Sequence, residues 1–214
     1  MVNLHSHAFQ RALGGMTEVA GDEVNHVADS FWTWRDLMYR FARHITPEQM
    51  EAIAAQLFAE CLRHGYTAVC EFHYLQRDAA GALYARPAET AERVLAAARL
   101  SGIGMTMLPV LYSHAGFGEQ PLKPEQGRFR TDADDVLRIV EALAPQRGGQ
   151  VEVGFAPHSL RAASVVQIRA VAHALPAGRP IHIHVAEQQG EVRQCVDYSG
   201  RRPVQYLYDQ VDVD

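Results

Sequence analysis

The chain has 214 residues, with 20 Lys and Arg against 25 Asp and Glu and a formal net charge of −5. Apolar residues make up 48% and charged residues 21%, a globular composition that excludes a disordered chain. An isoelectric point near 6.1 leaves no basic footprint for nucleic acid, and no apolar run nears the ~20 residues of a membrane span. The opening Met1-Val2-Asn3-Leu4-His5 lacks the regions of a signal peptide, and Cys61, Cys70 and Cys195 follow no disulfide or CxxC spacing. A cytoplasmic protein without nucleic-acid or membrane partners is expected. Its 11 histidines are unusually many for the length.

Five stretches, at 2–9, 66–74, 103–112, 151–158 and 180–185, are almost continuously apolar, as strands buried on both faces are. After the first comes a polar loop over 11–30, and then Phe31-Trp32-Thr33-Trp34-Arg35, a loop or a helix start. Thr46-Pro47-Glu48-Gln49 offers an N-cap, a proline at the first helical position and a capping-box glutamine. Met50, Ile53, Ala54, Leu57, Phe58 and Cys61 then follow at helical spacing, and Gly65 stops the run. Pro87 opens a second helix carrying Val94, Leu95 and Ala98, with Gly102 at its end. A second polar loop covers 113–130. Thr131 is expected to cap a third helix, with Val136, Ile139, Val140 and Leu143 on its apolar face. Ser164-Val165-Val166-Gln167 is another capping box, and a fifth helix covers 203–210 around Leu207. Strands alternating with helices predict an α/β fold with a parallel sheet, right-handed crossovers and about five βα units. Function is expected at the strand C-terminal ends.

Those ends carry the chemistry. In His5-Ser6-His7 the period of two sends both imidazoles to one side of a strand, where they can share a metal. In His182-Ile183-His184-Val185-Ala186-Glu187, His184 can ligate while the Glu187 carboxylate leans over the site as the proton-handling group that metal-assisted hydrolysis needs. His182 shares the face of His184 one layer deeper and reads as a core residue or one that backs the ligands, not as a ligand itself. His158-Ser159-Leu160-Arg161 puts a histidine and an arginine at the same rim, with Arg161 suited to clamp a carboxylate. Arg35 is a second cationic candidate, and Tyr74, after Glu71-Phe72-His73, is placed to donate to a substrate. His26, His44, His64, His114 and His173 read as surface residues.

Taken together, Asn3-Leu4-His5-Ser6-His7-Ala8-Phe9-Gln10-Arg11, Phe31 to Arg35, Glu71 to Tyr74, Leu111-Tyr112-Ser113-His114-Ala115-Gly116-Phe117-Gly118, His158 to Arg161 and His182 to Gln188 resemble the formimidoylglutamate deiminases of the amidohydrolase superfamily. The resemblance covers essentially the whole chain. It implies a TIM-type (β/α)8 barrel and zinc-dependent hydrolysis of N-formimino-L-glutamate to N-formyl-L-glutamate and ammonia, in histidine degradation. It further implies zinc on His5, His7 and His184, Glu187 as the catalytic acid and base, and a dicarboxylate substrate held by Gln10, Arg35, Tyr74, His158 and Arg161. A homo-oligomer is a possible partner state.

The same resemblance implies a small β segment before the first strand and three further βα units, bearing a histidine and an aspartate that completes the metal site. The chain is thus expected to be a single incomplete barrel domain over 1–214, an interior fragment that holds zinc loosely and has little activity alone. Two alternatives are an amidohydrolase deaminase for a guanidine, purine or triazine, and a non-catalytic remnant.

Overall fold

The computed structural model describes residues 1–16 and 31–212. Most of the predicted loop over 11–30 therefore lies outside the described residues, as does His26. Strands β1 (Val2–Ser6), β2 (Ala68–His73), β3 (Gly104–Leu111), β4 (Val151–Val153) and β5 (Ala156–Pro157) form one all-parallel sheet in chain order. β4 and β5 are two pieces of one strand path, the first beside Met105–Met107 of β3 and the second beside Val110 and Leu111. The predicted stretch 151–158 is thus interrupted at Gly154 and Phe155. The predicted fifth strand, 180–185, runs parallel beside that path but forms a single ladder bridge, Phe155 to Ile181. Three bonds hold it there: Phe155 N–H to the Pro180 carbonyl (3.2 Å), His182 N–H to Phe155 (3.3 Å) and His184 N–H to His158 (3.2 Å).

Seven helices among the described residues complete the alternation: α1 (Phe31–Ala42), α2 (Pro47–Arg63), α3 (Glu89–Ser101), α4 (Ala133–Leu143), α5 (Val165–Ala174), α6 (Gln189–Ser199) and α7 (Pro203–Gln210). None is long and apolar enough to cross a membrane. The Thr46 and Ser164 capping boxes form as the sequence predicts, each side chain accepting from the amide three residues on. The cap expected at Thr131 is displaced by one residue. Asp132, not Thr131, caps α4, because the Thr131 hydroxyl is already engaged by the Val110 carbonyl (2.7 Å) and the Tyr112 amide (2.8 Å). The tryptophan segment is helical, and α6 occupies a stretch that carries no clear apolar period.

The core lies between sheet and helices, around Phe58, Phe72, Leu95, Met107, Leu111 and Phe155, all fully buried. Buried Arg128 donates to the carbonyls of Ala42 and Ile45 and, at 3.1 Å, to that of Arg77. It ties the loop after β3 to the end of α1, the helix that carries Arg35 and Tyr39.

Candidate metal centre and its cavity

Ser6 is buried, and the histidines on either side of it turn toward the open face of the sheet. The His5 Nε2 lies 2.9 Å from the Nε2 of His7 and 3.1 Å from that of His184, which arrives from the far end of the sheet. All three donor atoms fall within 4.8 Å of one another. The Nδ1 of His7 meets the Phe72 carbonyl at 3.0 Å, and a carbonyl can only accept. The His7 proton is therefore on Nδ1, and Nε2 presents a lone pair. One ring nitrogen offers either one hydrogen or one lone pair, so the His5 Nε2 cannot satisfy both neighbours by hydrogen bonding. A shared cation satisfies all three. Tetrahedral ligands at roughly 2.0–2.1 Å from zinc stand about 3.3 Å apart, close to the spacing found. The donor set fits one metal ion.

The electrostatics point the same way. Burial pushes His7 down to about 3 and His184 down to about 4; His184 and His5 add to the first shift, His5 and Arg161 to the second. Burial and nearby His182 lower His5 as well. Neutral imidazoles are the ligating form. Phe72 stacks on His184 at 4.2 Å and meets His5 and His7 edge-on, fixing the ring planes. Tyr74 stacks on His7 at 4.6 Å, its hydroxyl 3.5 Å from the Nε2.

Glu187 follows a strained turn. Ala186 has φ of 57°, a left-handed conformation that is costly for a residue with a Cβ. The buried Glu191 carboxylate holds this turn, accepting from the amides of Ala186 (3.2 Å) and Glu187 (3.0 Å). Burial raises the Glu187 carboxyl above its usual range, opposed by Arg161, whose guanidinium stands 4.0 Å away. The Arg161 Nε is buried without an acceptor among the described residues. The His158 Nδ1 lies 3.0 Å from the Ser159 hydroxyl, and burial drives that imidazole's pKa well down, with His184 and Arg161 adding to the effect.

A cavity of about 300 Å³ opens over the three histidines, and Gln10, Arg35, Tyr74, His158, Arg161 and Glu187 all line it. The structure thus brings together every residue singled out from the sequence for this site. His182 stays out of the trio, with its ring at the Leu4 carbonyl. His44, His64 and His173 are exposed, as expected. His114 is not a surface residue: it lines the cavity and meets the Gln167 side chain at 3.2 Å, because its loop folds back onto Ala162. Sequence reasoning also missed Tyr39, Tyr112, Gln126 and Glu191. Only the Glu191 position, three residues beyond the Gln188 N-cap, carried a signal.

The family model described as amidohydrolase family matches residues 1–209. The chain belongs to the amidohydrolase family. This amidohydrolase is 52% identical to formimidoylglutamate deiminase of Pseudomonas aeruginosa over 215 residues, covering 100% of the chain and 47% of that relative. Its backbone is similar to a solved amidohydrolase from Brucella melitensis, with a TM-score of 0.91 and 46% identity, over 100% of this chain and 47% of that one. An atrazine chlorohydrolase from Arthrobacter aurescens TC1, solved in complex with zinc, shares the fold at a TM-score of 0.72 and 17% identity, over 98% and 45% of the two chains. The chain spans about half the length of the curated relatives it matches. As expected, what it forms is part of a barrel.

Proposed function

We propose that this chain carries the metal and substrate sites of a zinc-dependent hydrolase that converts N-formimino-L-glutamate to N-formyl-L-glutamate and ammonia, a step of histidine degradation in the cytoplasm. The observation that carries the reading is the convergence of three imidazole Nε2 atoms beside Glu187 in one cavity that also holds Arg35 and Arg161. An all-imidazole donor set suits zinc, and a distant neighbour of the same fold was solved with that metal. The identity to the Pseudomonas aeruginosa enzyme supports the substrate.

His5, His7 and His184 would hold the ion, which supplies Lewis acidity and an acidified water when bound. The chain's own residues do the rest. Arg161, with its unsatisfied Nε, and Arg35 hold the two carboxylates of the substrate, with Gln10 and Tyr74 completing the cradle. Glu187 takes a proton from water as its oxygen bonds to the formimino carbon. It passes that proton to the terminal nitrogen, then takes the second proton from the new hydroxyl and delivers it to the same nitrogen; the carbon–oxygen double bond forms as the carbon–nitrogen bond breaks and ammonia leaves. A carboxyl raised by burial suits both transfers. The uncharged His158 imidazole borders the reacting group without repelling a cationic amidine.

The test is a graft of this chain in place of the matching segment of the Pseudomonas aeruginosa enzyme. The chimera should release ammonia from N-formimino-L-glutamate, and Glu187→Gln should lower kcat by about 10²–10⁴. A folded, zinc-loaded chimera without that activity refutes the proposal.

A further inference from the structure

Three polar side chains in the cavity wall have no part in the reaction above: Tyr39 on α1, Tyr112 just beyond β3, and Gln126 in the 3₁₀ turn Pro124–Phe129. Both tyrosines are buried, so their hydroxyls need partners inside the protein. The direction of the bonds follows from what each group can do. The Lys123 amide can only donate, and it reaches the Gln126 Oε1 at 2.9 Å. That fixes the carboxamide, leaving Nε2 to donate to the Tyr112 hydroxyl at 2.6 Å. The Tyr112 and Tyr39 hydroxyls stand 3.3 Å apart, a bond that uses one of their two hydrogens. The other hydrogen has no acceptor among the described residues, and it belongs to a group lining the cavity.

The surroundings are also donors. The Arg35 guanidinium lies 5.7 Å over the Tyr39 ring, and the charge of Arg161 reaches the Tyr112 hydroxyl. Tyr112 lies one ring further from the three imidazoles than His158, whose centroid is 5.0 Å from His184 and 4.7 Å from Tyr112. A formimino group on the α-nitrogen keeps the α-carboxylate near the reacting centre. The side-chain carboxylate is the end that reaches the wall. A carboxylate only accepts, whereas a carboxamide brings two hydrogens of its own.

We propose that the Tyr39–Tyr112 pair, oriented by Gln126, is a specificity-determining group that donates to the side-chain carboxylate of a glutamate-derived ligand and disfavours the corresponding carboxamide. The inference rests on the proposed function and deepens it by naming what selects the far end of the substrate. Because either hydroxyl can supply the spare hydrogen, the pair has an unusual signature: loss of one is tolerated and loss of both is not.

Calorimetric titration of the 214-residue chain with N-formyl-L-glutamate and with N-formyl-L-glutamine tests it. Wild type should bind the first about tenfold or more tightly than the second. Tyr39→Phe and Tyr112→Phe should each stay within about threefold of wild type. The double variant should lose about tenfold or more for N-formyl-L-glutamate while N-formyl-L-glutamine stays within about threefold. Gln126→Glu keeps the packing but accepts the Tyr112 hydrogen, which leaves no spare donor, so it should reproduce the loss and decides alone if the double variant does not fold. A double variant, or a Gln126→Glu chain, that binds N-formyl-L-glutamate like wild type overturns the inference. So does equal loss of both ligands, or a wild type that binds both equally; these outcomes leave the proposed function standing. A wild type that binds neither overturns both.

Discussion

Gly154→Ala should damage the metal centre without touching a ligand. Gly154 lies between β4 and β5, where a Cβ would stand 1.9 Å from the Pro180 carbonyl oxygen and 2.9 Å from its carbon. Leu108 Cδ2, at 3.1 Å, blocks the other direction. Since nonbonded carbon and oxygen atoms keep more than about 3 Å apart, the Pro180 backbone must withdraw by roughly 1 Å or more. That movement strains the Phe155-to-Pro180 bond, one of three that align the segment ending in His184. Zinc–nitrogen distances tolerate only about 0.2 Å of error. Zinc affinity should therefore fall about 10–100-fold, the effect of losing a ligand's outer support, and stability by roughly 1–3 kcal/mol, the usual cost of overpacking. Chelator-competition titration and urea unfolding measure the two. Gly190→Ala is the control, because nothing among the described residues lies within 4 Å of a Cβ placed there. A Gly154→Ala chain with wild-type affinity and stability would show that the close passage of Pro180 does not position His184.

Arg161→Met should weaken N-formyl-L-glutamate binding roughly 10–150-fold, the value of one charge-assisted contact of ~1.5–3 kcal/mol; unchanged affinity in the same calorimetric assay would remove Arg161 from the cradle. Glu71, fully buried with one oxygen on the Ala8 amide at 2.7 Å, is raised by burial to about 8 from 4.5. The folded chain therefore keeps that carboxyl protonated where the unfolded chain ionises it. Its contribution is complete below about pH 4.5 and is lost as pH rises through about 8, by at most ~1.4 kcal/mol per pH unit. Relative to Glu71→Gln, wild type should lose stability between pH 5 and pH 8, with histidine titrations cancelling in the difference. A pH-independent difference in urea unfolding would contradict the raised carboxyl.

What the sequence made legible was whatever local chemistry dictates. The Thr46 and Ser164 boxes announce their helices, because capping is settled within four residues. His5-Ser6-His7 and His184 with Glu187 stood out, because strand periodicity and terminal position suffice to aim them. Helix α6 did not stand out, since only Glu191 and Cys195 of its eleven residues are buried and no apolar stripe forms. The path over 151–158 looked continuous, but at Gly154 the Pro180 backbone takes the space of a side chain. Thr131 failed as a cap because β3 and the following turn claim its hydroxyl, a demand made by residues about twenty positions away. The Tyr39–Tyr112–Gln126 array was invisible for the same reason. Its members come from three elements, and only folding sets the distances that orient their hydrogens.

The central claim is that His5, His7 and His184 hold one zinc ion. Anomalous diffraction at the zinc edge, on crystals of the zinc-equilibrated chain, tests it most directly. One strong peak is expected at roughly 2.0–2.1 Å from the Nε2 atoms of all three residues, with the His7 Nδ1 still donating to the Phe72 carbonyl. A peak at other residues, or none between these three imidazoles, would contradict it.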